Sequence, residues 1–256
     1  MRAPDALELA EGWLQVVSTH HHSPREDVDR EGADHALDLV LFDMDGTLVT
    51  GLSSWEMIHR AFGVSNESNW ERYARGEITD EEFMRSDIEL WRLDGRKIHV
   101  EEVEAILAGA ELMPNARALV QELKRRGIAT CILSGGLDIL ARRVCEETGI
   151  DMFVANGLAL DPSGHLAGEG ICYVTLRDKG AVARELLRTL KVRPERAAAV
   201  GNSAYDAPMF RAVGLGVAIA PVDGGVREAA DAVVEGTDMM DVLPHLLAYR
   251  PRTPRA

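Results

Sequence analysis

The sequence predicts an α/β protein, in which helices cover both faces of a parallel β-sheet and a small helical segment follows the first strand. Short apolar runs alternate with segments of helical periodicity along most of the chain. Several of these runs end abruptly in polar residues. The segment after the first run instead carries apolar residues at helical spacing. These observations together predict a sheet core interrupted by one helical insert.

The composition argues against several classes of function. The 256 residues include 28 basic and 42 acidic side chains, which gives a net charge of −14. Such a chain is poorly suited to bind nucleic acid or an anionic membrane surface. No apolar run approaches the length of a membrane span, and the amino terminus lacks the basic-then-apolar form of a signal peptide. Three cysteines without metal-site spacing indicate reduced thiols and predict a cytoplasmic protein.

The amino-terminal part of the chain divides into an extension, one strand and an insert. Residues 1–37 are rich in acids, histidine, serine and proline, and we expect a mobile extension with one short helical stretch near residues 6–17. A buried strand follows at residues 39–42. Residues 52–111, the helical insert, show four groups of apolar residues at helical spacing. This position suits a cap over the loop that follows the first strand.

Strands and helices alternate from Pro114 onward. Strands are predicted at residues 128–133, 152–155, 197–201, 215–219 and 232–234, with a hairpin at residues 157–174. This alternation is typical of a parallel sheet covered on both faces. We therefore predict a Rossmann-like core from residues 38–51 and 112–248, a cap from residues 52–111, and a carboxyl-terminal tail from residues 249–256.

Polar residues at three strand ends form the candidate site. Asp43 ends the first strand and Asp45 follows in the loop. A carboxylate there can attack a phosphoryl or acyl centre or bind a hard cation, while its neighbour moves a proton. An Asp-Gly sequence is also ordinary turn chemistry, so this stretch alone leaves both interpretations open.

The other two strand ends add anion- and cation-binding groups. Ser134-Gly135-Gly136 before a helix is typical of an anion cradle, although the same sequence also occurs in plain turns. Asn202 and Asp206 after a later strand offer oxygen ligands suited to Mg²⁺. Lys179 could add a positive side chain, although most lysines are surface charges. A phosphate group needs a nucleophile, a cation and hydroxyl and amide donors around one point, and successive strand ends offer each of them.

This ordered set closely resembles the haloacid-dehalogenase superfamily of phosphohydrolases. Four motifs carry the resemblance, namely residues 42–49, 133–136, 179–180 and 201–206. The first motif, Phe-Asp-Met-Asp-Gly-Thr-Leu-Val, is highly specific. The resemblance covers about residues 38–245 and is closest to the phosphoserine-phosphatase-like branch.

The resemblance implies a role for each matching residue. Asp43 would attack phosphorus and form an aspartyl-phosphate, and Asp45 would protonate the leaving alcohol and then deprotonate the hydrolytic water. The residues that would contact the substrate are Thr47, Ser134, Gly135, Gly136 and Lys179. The residues that would hold Mg²⁺ are Asp43, Asp45 through its backbone carbonyl, and Asn202 or Asp206.

Two features depart from the pattern of that branch. Asn202 stands where an aspartate usually follows the glycine, so we expect weaker Mg²⁺ binding. Leu52 and Asp87 stand where phosphoserine phosphatases place a glutamate and an arginine that grip the amino and carboxylate groups. Residues that could replace that pair are Glu56 with Arg85 or Arg92. Otherwise the leaving alcohol is larger or less charged and contacts Trp55 or Trp91.

The expected function is that of a Mg²⁺-dependent phosphatase for a small phosphorylated metabolite, with phosphoserine as the first candidate. The alternatives are a phosphatase for another metabolite such as a sugar or polyol phosphate, a phosphoryl-transferring mutase, or a non-catalytic protein that binds a phosphorylated metabolite. No nucleic-acid or membrane partner is expected, and the sequence does not indicate an oligomeric state.

Overall fold

A computed structural model describes residues 15–16, 36–92 and 95–251 of the chain. The strands in these ranges are β1 Gln15–Val16, β2 Leu39–Phe42, β3 Ala129–Leu137, β4 Met152–Leu160, β5 Leu166–Ile171, β6 Ala197–Gly201, β7 Leu215–Ile219 and β8 Ala232–Val234. The helices are α1 Ser54–Phe62, α2 Glu67–Ala74, α3 Asp80–Trp91, α4 Val100–Leu107, α5 Ala116–Arg125, α6 Asp138–Thr148, α7 Lys179–Thr189, α8 Ala207–Phe210, α9 Gly224–Ala229 and α10 Leu243–Ala248.

The sheet has the strand order β1-β4-β3-β2-β6-β7-β8, and β5 pairs with β4. In this spatial order, each pair of neighbouring strands between β4 and β8 is parallel. The two remaining strands, β1 and β5, are both antiparallel to β4. Strand β2 lies in the middle, between β3 and β6. Because the carboxyl ends of parallel strands share one edge, the loops after β3, β2 and β6 are neighbours.

Strand β2 shows why the sheet is buried on both faces. Its four apolar residues have no exposed surface. Val40 and Phe42 belong to one apolar cluster, while Leu39 and Leu41 belong to another. Successive side chains of a strand point to opposite faces, so the two clusters lie on the two sides of the sheet. The predicted α/β fold with a largely parallel sheet is confirmed.

The insert between β2 and α5 forms the four helices α1 to α4. Thr79 begins α3 with a capping box: the Glu82 amide donates to Thr79 Oγ1 at 3.2 Å, and the Thr79 amide donates to the Glu82 carboxylate at 2.9 Å. Ile58, Ile88 and Val103 are buried in the same apolar cluster as one face of the sheet. The insert therefore packs on the sheet through its apolar side chains.

The observed elements differ from the predicted ones in three places. Strand β3 continues four residues beyond its predicted end, to Leu137, with a register shift after Ser134. Strand β4 continues five residues beyond its predicted end at residue 155, to Leu160, and so includes the first arm of the predicted hairpin. The predicted helical stretch near residues 6–17 is wrong at Gln15–Val16, which form a short strand beside β4. The rest of that stretch and the end of the predicted tail, residues 252–256, lie outside the described residues.

In the described part of the chain, none of the helices has the length and apolar character needed to cross a membrane.

Candidate active site

The candidate site lies at the carboxyl edge of β3, β2 and β6. A cavity of about 740 Å³ opens there, between the sheet edge and the helical insert. The predicted site residues that line it are Asp43, Asp45, Ser134, Gly135, Gly136 and Lys179. The other predicted residues, Thr47, Asn202 and Asp206, are buried but are not part of its wall. The structure therefore brings together residues from three separate strand ends and from the start of α7.

Asp43 is paired with a buried lysine. The Lys179 ammonium donates to Asp43 Oδ1 at 2.8 Å and to Asp206 Oδ1 at 2.7 Å. All three side chains are buried. Burial raises the pKa of Asp43 to about 6, and the charge of Asp206 adds to this rise although Lys179 opposes it. Burial alone would lower the pKa of Lys179, but the two carboxylates together raise it, so the lysine stays charged.

Asp206 organises the loop that follows β6. Its Oδ2 accepts hydrogen bonds from the backbone amides of Asn202 at 2.9 Å and Ser203 at 3.0 Å, and its Oδ1 accepts the bond from Lys179. These bonds fix both the loop and the lysine. The geometry thus gives Asp206 a supporting position, with Lys179 between it and Asp43.

Asp45 has one paired and one unpaired oxygen. Its Oδ2 accepts a hydrogen bond from the Ser54 hydroxyl at 2.9 Å. Its Oδ1 is buried and has no hydrogen-bond partner among the described residues. Burial, with a further contribution from the charge of Asp43, raises the pKa of Asp45 to about 7. A carboxyl group with a pKa near neutrality can both give and take a proton under ordinary conditions.

The loop residues at the end of β3 are held by several hydrogen bonds. The Gly136 amide donates to Ser134 Oγ at 3.1 Å, which uses a lone pair and leaves the hydroxyl proton for another acceptor. The Gly135 carbonyl accepts from Trp55 Nε1 and from Asn156 Nδ2, both at 3.1 Å. Sequence reasoning gave neither Trp55 nor Asn156 this role. The predicted anion cradle is therefore part of a fixed strand end instead of a free turn.

The residues predicted to hold Mg²⁺ offer oxygen atoms of three kinds. Among the described residues, no three His, Cys, Asp or Glu side chains are placed to share a metal ion. The predicted set instead combines the Asp43 carboxylate, the Asp45 backbone carbonyl and either the Asn202 amide or the Asp206 carboxylate. The Asn202 side chain lies so close to Gly46, the residue after Asp45, that a Cβ at Gly46 would overlap it. This set of hard oxygen donors beside buried negative charge fits Mg²⁺.

The opposite end of the cavity belongs to the helical insert. Leu52 and Asp87 both line it. Asp87 is 3% exposed, and its carboxylate pairs with His59 Nε2 at 2.9 Å and accepts from Asn66 at 2.5 Å. Burial, the largest single effect, lowers the pKa of His59, but the hydrogen bond to the acceptor carboxylate of Asp87 and the other contacts of the ring raise this pKa overall. This end therefore presents the apolar side chain of Leu52 and a hydrogen-bonded pair of the half-buried His59 and the buried Asp87.

The replacements considered for the missing glutamate and arginine have other partners. Glu56 lines the cavity, and its carboxylate accepts from the amide and hydroxyl of Ser53 at 2.9 and 2.8 Å. Arg85 pairs with Glu169 at 2.8 Å. Neither Arg92 nor Trp91 is part of the cavity wall, whereas Trp55 is. An arginine that sequence reasoning did not single out, Arg60, also lines this end.

Comparisons with known proteins agree with this arrangement. The profile of the haloacid dehalogenase-like hydrolases matches residues 37–214. A phosphoserine phosphatase of Methanocaldococcus jannaschii is 29% identical, over 81% of this chain and 97% of the relative. A phosphoserine phosphatase of Wolinella succinogenes is 32% identical, over 81% of this chain and 99% of the relative.

Solved structures show the same likeness. A phospho-aspartyl intermediate analogue of phosphoserine phosphatase has a TM-score of 0.69 at 28% identity, and covers 82% of this chain and 99% of the other. A substrate-bound phosphoserine phosphatase has a TM-score of 0.70 at 28% identity, with 82% and 98% coverage. The chain therefore belongs to the haloacid dehalogenase-like hydrolases and is a phosphatase of their phosphoserine-phosphatase-like branch.

Proposed function

We propose that this phosphatase is a Mg²⁺-dependent phosphomonoester hydrolase that works through an aspartyl-phosphate on a small phosphorylated metabolite. The observation that carries the proposal is the arrangement of two acids around one cavity. Asp43 lies 2.8 Å from the buried ammonium of Lys179, and Asp45 presents an unpaired buried oxygen. One acid is thus held as an anion beside a cation, while the other is held near the midpoint of its titration.

Asp43 is the proposed nucleophile and Lys179 its electrostatic partner. Phosphoryl transfer depends mainly on positioning and on neutralising the charge of the equatorial oxygens. The Lys179 ammonium, the Ser134 hydroxyl and the Gly135 amide would supply that neutralisation, with Thr47 and Gly136 shaping the phosphate site. When bound by the oxygen donors described above, Mg²⁺ would supply further positive charge at the phosphoryl oxygens.

Asp45 is the proposed general acid and base. An alkoxide is a poor leaving group, so an alkyl phosphate needs a proton at its bridging oxygen as the bond to phosphorus breaks. Asp45 lines the cavity and its pKa of about 7 allows it to carry that proton. The resulting carboxylate then takes a proton from the water that hydrolyses the aspartyl-phosphate.

The test is hydrolysis of 4-nitrophenyl phosphate with and without Mg²⁺. Wild type should require the metal, and Asp43→Asn should lower kcat at least about a thousandfold because the amide is not a nucleophile. Glu185→Gln, which changes a half-buried carboxylate on α7 that pairs with Arg188 away from the cavity wall, is the control and should keep full activity. Unchanged turnover in Asp43→Asn would contradict the proposal, and no Mg²⁺-dependent turnover in wild type would favour a protein that binds without reaction.

We also propose that residues 52–111 act as a cap over a core formed by residues 38–51 and 112–248. Contacts across the cavity support this division. Trp70 on α2 packs edge-on against Tyr205, with ring centroids 5.9 Å apart, and Trp55 on α1 bonds the Gly135 carbonyl.

We propose a cytoplasmic location as well. The three free cysteines support it, since such thiols persist in reducing compartments.

Phosphoserine is the first candidate substrate, because it is the substrate in the names of the relatives reported above. A specific observation favours a second candidate, a larger and less charged alcohol such as a sugar or polyol. Leu52 cannot pair with an ammonium group, and the buried Asp87 carboxylate, which is paired with His59, cannot bind a substrate carboxylate as an arginine would. Arg60 is the arginine that lines this end of the cavity. Trp55 offers an indole face there instead.

The two candidates are separated by comparing kcat/KM for phosphoserine with kcat/KM for sugar and polyol phosphates. Leu52→Glu adds a carboxylate at the cavity wall and should raise kcat/KM for phosphoserine by about tenfold relative to a polyol phosphate. A wild-type enzyme that prefers phosphoserine by orders of magnitude would contradict the second candidate.

A further inference from the structure

Ser54 connects the helical insert to the proposed general acid. It is the first residue of α1 and has no exposed surface. Its hydroxyl lies 2.9 Å from Asp45 Oδ2 and 3.0 Å from the backbone nitrogen of Leu137. One side chain of the insert thus joins the loop after β2 to the end of β3.

The direction of these two hydrogen bonds follows from the chemistry of the groups. A backbone N–H can only donate, so Ser54 Oγ is the acceptor of the bond from Leu137. The serine has one hydroxyl proton, which is then directed at Asp45 Oδ2. This bond ties Oδ2 of the Asp45 carboxyl group to the insert, whereas Oδ1 is buried and has no hydrogen-bond partner among the described residues.

We propose that Ser54 is a positioning residue, which fixes the orientation of the Asp45 carboxyl group for proton exchange with the substrate. The inference rests on the proposed function. As Asp43 bonds to phosphorus, the bond from phosphorus to the leaving oxygen breaks, and its electron pair stays on that oxygen. The leaving oxygen takes the proton from the Asp45 carboxyl group, and Asp45 becomes a carboxylate. This carboxylate later takes the proton of the attacking water.

The packing around Gly136 supports this orientation. A Cβ at Gly136 would lie 2.5 Å from Asp45 Oδ2 and 2.8 Å from Ser54 Oγ. The hydrogen-bonded pair is therefore pressed against the backbone of β3, and this backbone restricts rotation of the carboxyl group. Helix formation does not require Ser54, because Ser53 is the N-cap of α1 and forms a capping box with Glu56. The buried Ser54 hydroxyl therefore matters for its hydrogen bond to Asp45 and not for the start of the helix.

The experiment compares two aryl phosphates that differ in their need for an acid. 4-Nitrophenyl phosphate has a good leaving group, whereas phenyl phosphate depends more on protonation. The measured quantity is kcat/KM for each substrate. It reports the steps up to the departure of the phenol and excludes the later hydrolysis of the aspartyl-phosphate. Ser54→Ala should lower kcat/KM for phenyl phosphate by about 10–100-fold and for 4-nitrophenyl phosphate by less than about threefold. Ser54→Thr, which keeps the hydroxyl, should restore most of the loss.

Two controls separate positioning from general damage. Ser53→Ala removes the neighbouring cap and should affect both substrates equally. In an Asp45→Asn background, Ser54→Ala should have no further effect that depends on the leaving group, because its role passes through Asp45. An equal loss for both substrates in Ser54→Ala, or full additivity with Asp45→Asn, would overturn the inference. Failure of the proposed function itself would differ, since wild type would then lack Mg²⁺-dependent turnover.

Discussion

Asp43 and Asp45 are two residues apart, and their surroundings give them different partners. Lys179 holds Asp43 with a charge-assisted hydrogen bond, whereas a neutral serine holds Asp45. The charge of Asp43 itself contributes to the raised pKa of Asp45. The first acid therefore favours the protonated form of the second. This difference in environment matches one acid to nucleophilic attack and the other to proton transfer.

The raised pKa of Asp45 predicts how activity depends on pH. The acid must be neutral to protonate the leaving group, and its neutral fraction falls as pH rises through about 7. We expect kcat/KM for phenyl phosphate to fall nearly tenfold per pH unit above that value. The measurement is a pH profile of kcat/KM for wild type and Asp45→Asn. The variant should be slow and should lack this alkaline decrease; a decrease that persists in it would assign the titration to another group.

If Asn202 contacts Mg²⁺, substitutions at this position should change the affinity for the metal. A carboxylate attracts Mg²⁺ more strongly than a neutral amide at the same position. Asn202→Asp should therefore lower the Mg²⁺ concentration for half-maximal activity about three- to tenfold, while Asn202→Ala should raise it. Titration of activity with Mg²⁺ after treatment with a chelator gives these values. Identical Mg²⁺ requirements in all three proteins would mean that Asn202 does not contact the metal.

At the scale of elements, the end of β3 is the most constrained part of the site. Gly136→Ala would place a methyl group 2.5 Å from Asp45 Oδ2 and 2.7 Å from Met44 Cε. Because backbone anchors the glycine, the acid must move, and we expect kcat/KM to fall at least about a hundredfold. Gly224→Ala is the matched control, since a Cβ there meets nothing within 4 Å. Steady-state kinetics with thermal unfolding of both variants tests this; near wild-type activity in Gly136→Ala would show that the acid tolerates displacement.

The same element shows what the sequence could and could not predict. Apolar runs ending in Asp43, Ser134 and Asn202 were enough to place three strand ends at one edge. The extension of β3 to Leu137 was not visible, because Ser-Gly-Gly resembles a turn and the strand continues through pairing with β4 after a register shift. Ser54 was also missed, since its partners Asp45 and Leu137 lie 9 and 83 residues away.

The helical insert also shows that contacts between residues far apart in the sequence could not be predicted. Helical spacing predicted its four helices, and a capping box predicted the start of α3 at Thr79. Asp87 drew attention as a departure from a family pattern, but its two half-buried partners could not be deduced. His59 and Asn66 lie 28 and 21 residues before it, on and beside other helices. Such contacts depend on how the helices pack, which local periodicity does not determine.

At the scale of the whole molecule, a strongly acidic chain carries the proposed site for a phosphate dianion. The net charge is −14, and the lysine that faces the phosphate site is buried between two carboxylates. The long-range field of the protein should therefore repel the substrate, while short-range contacts in the cavity bind it. Such repulsion is screened over about 8 Å at physiological ionic strength.

This balance predicts that salt assists the capture of substrate. With Mg²⁺ kept saturating, raising KCl from about 10 to about 200 mM should increase kcat/KM by roughly two- to fivefold and leave kcat nearly unchanged, because screening weakens repulsion before binding. Saturating Mg²⁺ is essential, since salt also weakens the attraction of the acidic surface for the cation. Steady-state kinetics over this range measures the effect. A kcat/KM that falls with salt would instead show that Lys179, Arg60 and the bound cation make the cavity mouth attractive to anions despite the acidic surface.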